Sequence, residues 1–225
     1  MTAIDNLFAI CPAPHGTTPA CDWAAVERTL GMPLPSDYKR LADAYGPGAF
    51  CGFLHLYHPL APTEWVNLTG PMPGTIRNQL QRDRDRGTHP VPHAPQNLFP
   101  MGVTDNGNYL FWVTDPSSTP DRWHITINEA RGPRWYTHDG GITDFLLAVL
   151  SGGESVPLFP RDILDQGVYF TPSAPSSPEP PGVQPTRALN SNEIRAWARA
   201  HGYEVPDRGR IPATIVDAWK QAQHR

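Results

Sequence analysis

Arg208, Gly209 and Arg210 form the short motif in this sequence whose chemistry is easiest to interpret. The minor groove of A·T-rich DNA is narrow and strongly negative, so it attracts arginine side chains. Its floor presents adenine N3 and thymine O2 as acceptors, whereas the amino group of guanine obstructs a close approach. Because Gly209 has no Cβ, the backbone can lie close to that floor. The tripeptide therefore suits an Arg-Gly-Arg tip that enters the minor groove of A·T-rich DNA, and an ordinary solvated turn is the alternative for so short a motif.

Polar residues on either side of this tip are candidate contacts to the DNA backbone. A helix is predicted to begin just after the tip, and the free N–H groups of its first turn are suited to a phosphate. Thr214 lies in that turn and can donate its hydroxyl, and Arg195 and Arg199 can reach phosphates from the preceding helix. The predicted DNA-binding residues are thus Arg208, Gly209, Arg210, Arg195, Arg199 and Thr214.

Two short helices are predicted to hold the tip. Asn190 and Glu193 have the spacing of a capping box at the start of the first helix, and Gly202 marks its end. The second helix is predicted from Ile211-Pro212 to about residue 222. Residues 186–225 therefore form a small, all-α, two-helix module, and about forty residues is a marginal size for a core.

Charge and proline content divide the chain into two parts. Residues 186–225 contain 7 basic and 4 acidic residues, a balance of +3, whereas residues 1–185 contain 11 basic and 18 acidic residues, a balance of −7. A basic end favours a polyanionic partner, and a merely solvated basic surface is the alternative. Residues 171–185 include six prolines, so they are predicted to be an extended linker.

The first 160 residues combine helical and strand patterns. Helices are predicted over 22–30, 36–45 and 143–150, with a charged and mostly surface helix over 74–85. Strands are predicted over 52–57, 108–113, 123–127 and 134–137. Two helices, then strands, then a closing helix favour an α+β domain with an antiparallel sheet over residues 1–160.

The sequence contains no signature of catalysis, of a cofactor or of a metal site. The cysteines Cys11, Cys21 and Cys51 include no Cys-x-x-Cys pair and are expected to be free thiols in a reducing cytoplasm. The histidine pairs at 55/58 and 89/93 lack completing ligands, so ordinary histidines are favoured over metal ligands. No run of 18 apolar residues occurs, so no membrane contact is expected. A cytoplasmic protein without enzymatic activity is therefore predicted.

Six segments of the N-terminal part carry a resemblance to the SUKH superfamily. They are Trp23-x-x-Val26-Glu27-x-x-Leu30-Gly31, Leu34-Pro35-x-Asp37-Tyr38, Leu98-Phe99-Pro100-Met101-Gly102, the turn Thr104–Asn108 with Trp112, Trp123-His124-Ile125, and Asp144-Phe145-Leu146. The resemblance spans about residues 20–150 and implies a domain that binds a protein partner, as in immunity proteins that neutralise toxins. Asn108 departs from the family pattern, in which an acidic residue often follows the turn glycine.

The C-terminal module resembles the DNA-binding domain of the actinobacterial histone-like nucleoid-structuring protein. The resemblance rests on Ile194-Arg195-x-Trp197-Ala198, on Gly202-Tyr203-x-Val205-x-Asp207-Arg208-Gly209-Arg210-Ile211-Pro212, and on Ile215-Val216-x-Ala218-Trp219. It implies binding to A·T-rich double-stranded DNA through Arg208, Gly209 and Arg210. The oligomerisation region with which that family bridges DNA does not occur here, and the SUKH-like domain occupies its place.

Two functions follow from these patterns. In the first, the chain is a histone-like, nucleoid-associated DNA-binding protein whose SUKH-like domain binds a protein partner or a signal. In the second, it is a SUKH-type immunity or interaction protein that the DNA-binding module only localises. Both predict a location in the cytoplasm at the nucleoid and two partners, double-stranded DNA and a protein.

Overall fold

Seven strands in the N-terminal part of the chain form one antiparallel sheet. The computed structural model describes residues 2–14, 19–173 and 197–203 and the single residues 219 and 222. The strands are β1 (Gly48–Phe50), β2 (Leu54–Leu56), β3 (Leu98–Thr104), β4 (Tyr109–Val113), β5 (His124–Asn128), β6 (Trp135–His138) and β7 (Phe170–Pro172). Their order in the sheet is β6-β5-β4-β3-β2-β1-β7, so the chain meanders across the sheet and β7 returns beside β1. The sheet belongs to the first of two compact units, Met1–Ser176, and the second unit is Ser177–Arg225.

Five helices accompany the sheet in the described part of the first unit. They are α1 (Ala3–Ile10), α2 (Trp23–Leu30), α3 (Ser36–Tyr45), α4 (Met72–Arg86) and α5 (Ile142–Leu150). α2 lies within the predicted range 22–30, and Asp22 caps it, since its side chain accepts a hydrogen bond from the Ala25 N–H at 2.9 Å. The α+β fold with an antiparallel sheet that the sequence predicts is confirmed. No helix among the described residues is long and apolar enough to span a bilayer.

The centre of the core is an aromatic cluster between α3 and the middle of the sheet. Trp112 on β4 is 1% exposed, and the Tyr38 ring from α3 meets it edge-on with ring centroids 4.9 Å apart. Phe99 on β3 stacks on the same indole at 6.0 Å. The buried Tyr38 hydroxyl donates to the Tyr57 carbonyl oxygen at 2.6 Å, so its polar end is also satisfied. This cluster fixes α3 on the sheet.

Asp37 joins α3 to the start of α5. Its Oδ2 accepts a hydrogen bond from the Thr143 N–H at 3.1 Å, which satisfies one of the free donors in the first turn of α5. A Cβ on Gly141 would lie 2.4 Å from the same oxygen, so the two elements approach closely there. Burial raises the pKa of Asp37 even though backbone N–H groups of Thr143 and Tyr38 favour its ionised form.

Two helices differ from the sequence-based expectation. α1 has no counterpart among the predicted helices, although Thr2 and Asp5 have the spacing of a capping box and the Thr2 N–H donates to Asp5 Oδ2 at 2.7 Å. α4 is longer than the predicted 74–85. It is mostly exposed, as expected, and one face of it buries Ile76 and Leu80.

β1, β3 and β7 have no counterparts among the predicted strands. β3 contains Pro100 and Gly102, residue types that weaken a strand pattern. Its pairing with β4 shifts register between these two residues, which is the mark of a bulge. β1 and β7 have three residues each, so they are too short to show an alternating pattern.

β7 adds an edge to the sheet at a point where the backbones come unusually close. Thr171 and Pro172, the first part of a predicted linker segment, pair with Ala49 and Gly48 of β1. A Cβ on Gly48 would lie 2.4 Å from the Thr171 carbonyl oxygen and 2.3 Å from Cζ of Phe170. Only glycine at position 48 therefore allows β7 to take this place.

Gly48→Ala is expected to lower the free energy of unfolding by about 1–3 kcal/mol, because the methyl group must displace β7. Gly74→Ala is the matched control, since no atom lies within 4 Å of its Cβ position and it stands in α4. This control should leave stability unchanged or raise it by up to about 1 kcal/mol. Urea unfolding followed by tryptophan fluorescence measures both, and equal stability of the two variants would contradict the close β1–β7 approach.

Candidate functional site

Asn108, the position that departs from the SUKH pattern, is a buried link between three segments. Its Nδ2 donates to the Leu158 carbonyl oxygen at 2.9 Å, and its Oδ1 accepts from the Ala130 N–H at 3.0 Å. Its own N–H donates to Thr104 Oγ1 at 3.1 Å. The side chain is 5% exposed and uses both a donor and an acceptor, which an acidic residue cannot do when ionised. This position therefore serves the fold in this chain.

The cysteines are poor candidates for a nucleophile. All three are free thiols, and Cys11 and Cys51 are buried. Burial raises the pKa of Cys11 and of Cys21 to about 11, so both thiols are protonated at neutral pH. A thiolate is the reactive form of cysteine, and neither position provides one.

Histidines that are spaced like metal ligands have separate partners in the fold. His55 Nε2 lies 2.9 Å from Asp105 Oδ1 at the turn after β3. His58 is 2% exposed and hydrogen-bonds to backbone atoms of Ala42 and Leu60. Within the described ranges, no group of three His, Cys, Asp or Glu side chains is arranged to hold a metal ion.

A cleft of about 480 Å³ opens beside α5 and the loop that follows it. Glu154 lies in its wall, and this carboxylate accepts a hydrogen bond from the Tyr136 hydroxyl. His138 Nδ1 lies 2.8 Å from the second oxygen of the same carboxylate. Glu154 is therefore held by neighbouring side chains of β6, and the cleft is otherwise lined largely by apolar residues.

Residues 58–67, here called the 58–67 loop, form a closed surface loop after β2. His58 and Asn67 pair as a parallel bridge, and the His58 N–H donates to the Val66 carbonyl oxygen at 3.0 Å. His58 Nδ1 accepts from the Leu60 N–H at 3.0 Å, so the neutral ring carries its proton on Nε2, which lies 3.3 Å from the Ala42 carbonyl oxygen. The loop is thus fastened both to itself and to α3.

The sequence patterns did not single out the 58–67 loop. Its prolines suggest an irregular segment, and its tryptophan, Trp65, lies outside any alternating strand pattern. A signal for this loop was present in the sequence, namely a tryptophan among turn-forming residues. Such a tryptophan belongs to no predicted helix or strand that would bury it in the core, so it is a candidate for an exposed contact. Trp65 is in fact 63% exposed.

The C-terminal unit is described over residues 197–203, which are the end of a helix, and at residues 219 and 222, which are both helical. Residues 197–200 are helical, and Gly202 follows with a positive φ of 79°. The Tyr203 N–H donates to the Ala198 carbonyl oxygen at 2.9 Å and the Gly202 N–H to that of Arg199 at 3.2 Å, which is the Schellman pattern of a helix end. The Tyr203 ring stacks on Trp197 at 5.7 Å, the apolar contact that accompanies this pattern. The predicted helix end at Gly202 is confirmed.

One of the six predicted DNA-binding residues lies in the described part of the chain. Arg199 is exposed on the helical residues 197–200. Arg195, Arg208, Gly209, Arg210 and Thr214 lie outside the described residues. Their roles remain predictions from the sequence. Most of the predicted second helix also lies outside the described residues, and the two residues described in its range, 219 and 222, are helical.

Asn108→Asp is expected to lower the free energy of unfolding by about 1–3 kcal/mol at neutral pH, because the new carboxylate cannot donate to the Leu158 carbonyl oxygen. Protonation of that carboxyl restores a donor, so the deficit should shrink at acid pH. Asn78→Asp makes the same chemical change at an exposed site on α4 and should alter stability by less than about 0.5 kcal/mol. Urea titrations of both variants at two pH values test this, and an equal effect at the two sites would contradict it.

His58 is expected to make stability fall on acidification. Burial lowers the pKa of His58 below its ordinary value of 6.5, so the unfolded chain takes up this proton at a higher pH than the folded chain. The stabilising contribution of neutral His58 is therefore full above its unfolded pKa and is lost as pH falls toward its folded pKa. His58→Asn offers an acceptor near Nδ1 without titrating, so its free energy of unfolding should depend less on pH between about 7.5 and 5.5. An unchanged pH dependence in this variant would show that the ring does not control the transition.

Comparisons with known families agree with the two-part organisation. The family model of the SMI1 / KNR4 family (SUKH-1) matches residues 19–144, more than half of the chain, from before α2 into α5. The model of the Lsr2 DNA-binding domain matches residues 186–222. No solved structure matches the chain. The chain therefore belongs to the SMI1/KNR4 (SUKH-1) family and carries, at residues 186–222, a second module of the Lsr2 DNA-binding type.

Proposed function

We propose that this chain is a nucleoid-associated protein that inserts Arg208-Gly209-Arg210 into the minor groove of A·T-rich DNA. The observation that carries the proposal is the match of residues 186–222 to the Lsr2 DNA-binding domain, because that segment contains the Arg-Gly-Arg tip. Arginine suits a narrow groove better than lysine, since its planar guanidinium is thin and weakly hydrated. Arg195, Arg199 and Thr214 would contact phosphates and set the orientation of the module.

The helix end at Gly202 supports this role by directing the chain. A Schellman end with its apolar contact fixes the path of the backbone as it leaves the helix. The stack of Trp197 on Tyr203 stabilises that path a few residues before Arg208. A loop whose first residues are already fixed loses less conformational entropy when it binds DNA. Fewer contacts between the tip and the DNA are then needed to offset that loss.

The SUKH domain, in this proposal, binds a protein partner and performs no catalysis. Support comes from the protonated thiols of Cys11 and Cys21 and from the engagement of His55 and His58 with structural neighbours. The acidic balance of −7 over residues 1–185 makes that domain unsuited to DNA itself. The two modules would therefore bring a protein to A·T-rich regions of the nucleoid.

A second function is favoured by the extent of the SUKH match, which is three times longer than the Lsr2 match. The chain would then be an immunity or interaction protein whose main activity is to bind a protein. The DNA-binding module would serve only to place it on the nucleoid. Two results together would favour this function. A protein that co-purifies with the full chain should be lost when the SUKH domain is deleted, and the same deletion should leave the occupancy of DNA by the protein unchanged.

Arg208→Ala/Arg210→Ala in the full chain is expected to weaken binding to an A·T-rich duplex at least tenfold and to abolish the preference over a G·C-rich duplex. Fluorescence anisotropy at about 50 and 200 mM salt measures both, and wild-type affinity should fall steeply with salt. Arg82→Ala/Arg86→Ala removes the same charge from an exposed face of α4 and should leave affinity and preference unchanged.

Gly209→Ala separates insertion from simple charge attraction. The variant keeps both arginines, but its Cβ would hold the backbone away from the groove floor. The A·T preference should fall while the salt dependence stays close to that of the wild type. If this variant keeps its full preference, or if the double arginine variant binds A·T-rich DNA as the wild type does, the tip does not enter the groove.

A further inference from the structure

The 58–67 loop exposes large apolar side chains that the fold does not use. In the described part of the chain, the exposed large apolar residues are Leu60 (45%), Trp65 (63%), Tyr169 (36%) and Tyr203 (42%). Two of these four, Leu60 and Trp65, lie in one ten-residue loop. A tryptophan buries more area than any other side chain when it is covered, and tryptophan is enriched among residues that dominate binding energy at protein interfaces.

The loop that presents Trp65 is held in one conformation. Besides the His58–Asn67 bridge, Asn67 Nδ2 donates to the Pro59 carbonyl oxygen at 3.2 Å, and the Ala61 N–H donates to the His58 carbonyl oxygen at 3.0 Å. The Leu68 N–H reaches the His58 carbonyl oxygen at 3.3 Å and closes the base of the loop. Compact loops with joined ends are often functional, and a preorganised surface loses little conformational entropy on binding.

Charge indicates the kind of surface that fits this loop. Glu64 stands next to Trp65 and is exposed, and no ion pair within the described part of the chain involves it. Asp43 is exposed on α3, next to Ala42, whose carbonyl oxygen lies 3.3 Å from His58 Nε2. The loop thus carries an apolar centre with acidic neighbours, on a domain whose balance is −7 over residues 1–185. A second copy of the chain would bring like charges together, so the complementary partner is a different protein.

We propose that the 58–67 loop is the surface through which the SUKH domain binds a partner protein. The partner offers an apolar pocket that receives the Trp65 side chain, with a lysine or arginine beside the pocket that faces Glu64. Leu60 extends the buried area next to the tryptophan. The proposal rests on the partner-binding part of the proposed function and names the residues that perform it.

The first step of the test is photocrosslinking in cells that produce the full chain. The photoreactive amino acid p-benzoylphenylalanine replaces Trp65 in one version and Tyr169, an exposed aromatic residue outside the loop, in the control. An adduct with one protein at position 65 and none at position 169 is the expected result. Adducts at position 169 alone would mean that the domain binds a partner through another surface, and they would overturn the assignment of the 58–67 loop. A nucleic-acid adduct at position 65, or no adduct at either position, would overturn the proposal.

The second step measures affinity between the purified chain and the protein that was crosslinked. Trp65→Ala should weaken binding about 30-fold or more, as truncation of a central interface tryptophan does. Glu64→Lys should also weaken binding, and the loss should grow at low salt, because like charges then face each other across the interface. Tyr169→Ala is the matched control and should bind within twofold of the wild type.

Equal affinity of wild type and Trp65→Ala would overturn the proposal even if a protein was captured. The exposed position of Trp65 means that these variants should keep the unfolding midpoint of the wild type, so a loss of binding is not a loss of fold. DNA binding by Trp65→Ala is measured in parallel and should be unchanged. If the DNA-binding proposal is wrong, this DNA-binding measurement will show it. If only the docking surface is wrong, DNA binding will still be observed.

Discussion

The seating of α3 on the sheet is the contact on which the rest of the N-terminal domain depends. Tyr38 packs edge-on against Trp112 and donates its hydroxyl to the Tyr57 carbonyl oxygen, so one side chain satisfies both apolar and polar requirements. One residue earlier, Asp37 caps α5. One turn later, the carbonyl oxygen of Ala42 receives His58 and fastens the 58–67 loop. A shift of α3 would therefore disturb α5 and the loop together.

Much of this arrangement could be predicted from the sequence because it follows from regular patterns. α2 and α3 lie within the predicted ranges 22–30 and 36–45, and Tyr38, Leu41, Ala42 and Tyr45 are buried on one face of α3, as their helical spacing indicates. Short runs rich in aromatic and β-branched residues predicted β4 and β5. The fold class followed from the order of these elements, and the observed helices and antiparallel sheet confirm it.

Other parts could not be predicted, for reasons that are local and physical. Pro100 and Gly102 prevent the recognition of β3 as a strand from its sequence. The bulge that accommodates them exists only in the pairing with β4, which the sequence of β3 alone does not show. Asn108 could be recognised as a departure from the family pattern, but its two hydrogen bonds link segments about 20 and 50 residues away along the chain. The exposure of Trp65 likewise depends on where β2 and α3 place the loop. The proposed DNA-binding tip lies outside the described residues, and it is inferred from the sequence and from the match to the Lsr2 DNA-binding domain.

The pairing of β7 with β1 has a mechanical consequence. One residue after β7, the Ser173 N–H donates to the Pro47 carbonyl oxygen at 2.8 Å and extends the backbone contact with this edge of the sheet, and the Lsr2-type module follows later in the chain at residues 186–222. In the proposed function, tension between a DNA-bound module and a partner-bound SUKH domain would act first on this short ladder. Its hydrogen bonds would open from Ser173 toward Phe170, and the packing of the Phe170 ring on Tyr45 and Phe50 would resist further opening. β7 would then separate from β1 only as far as that aromatic contact allows.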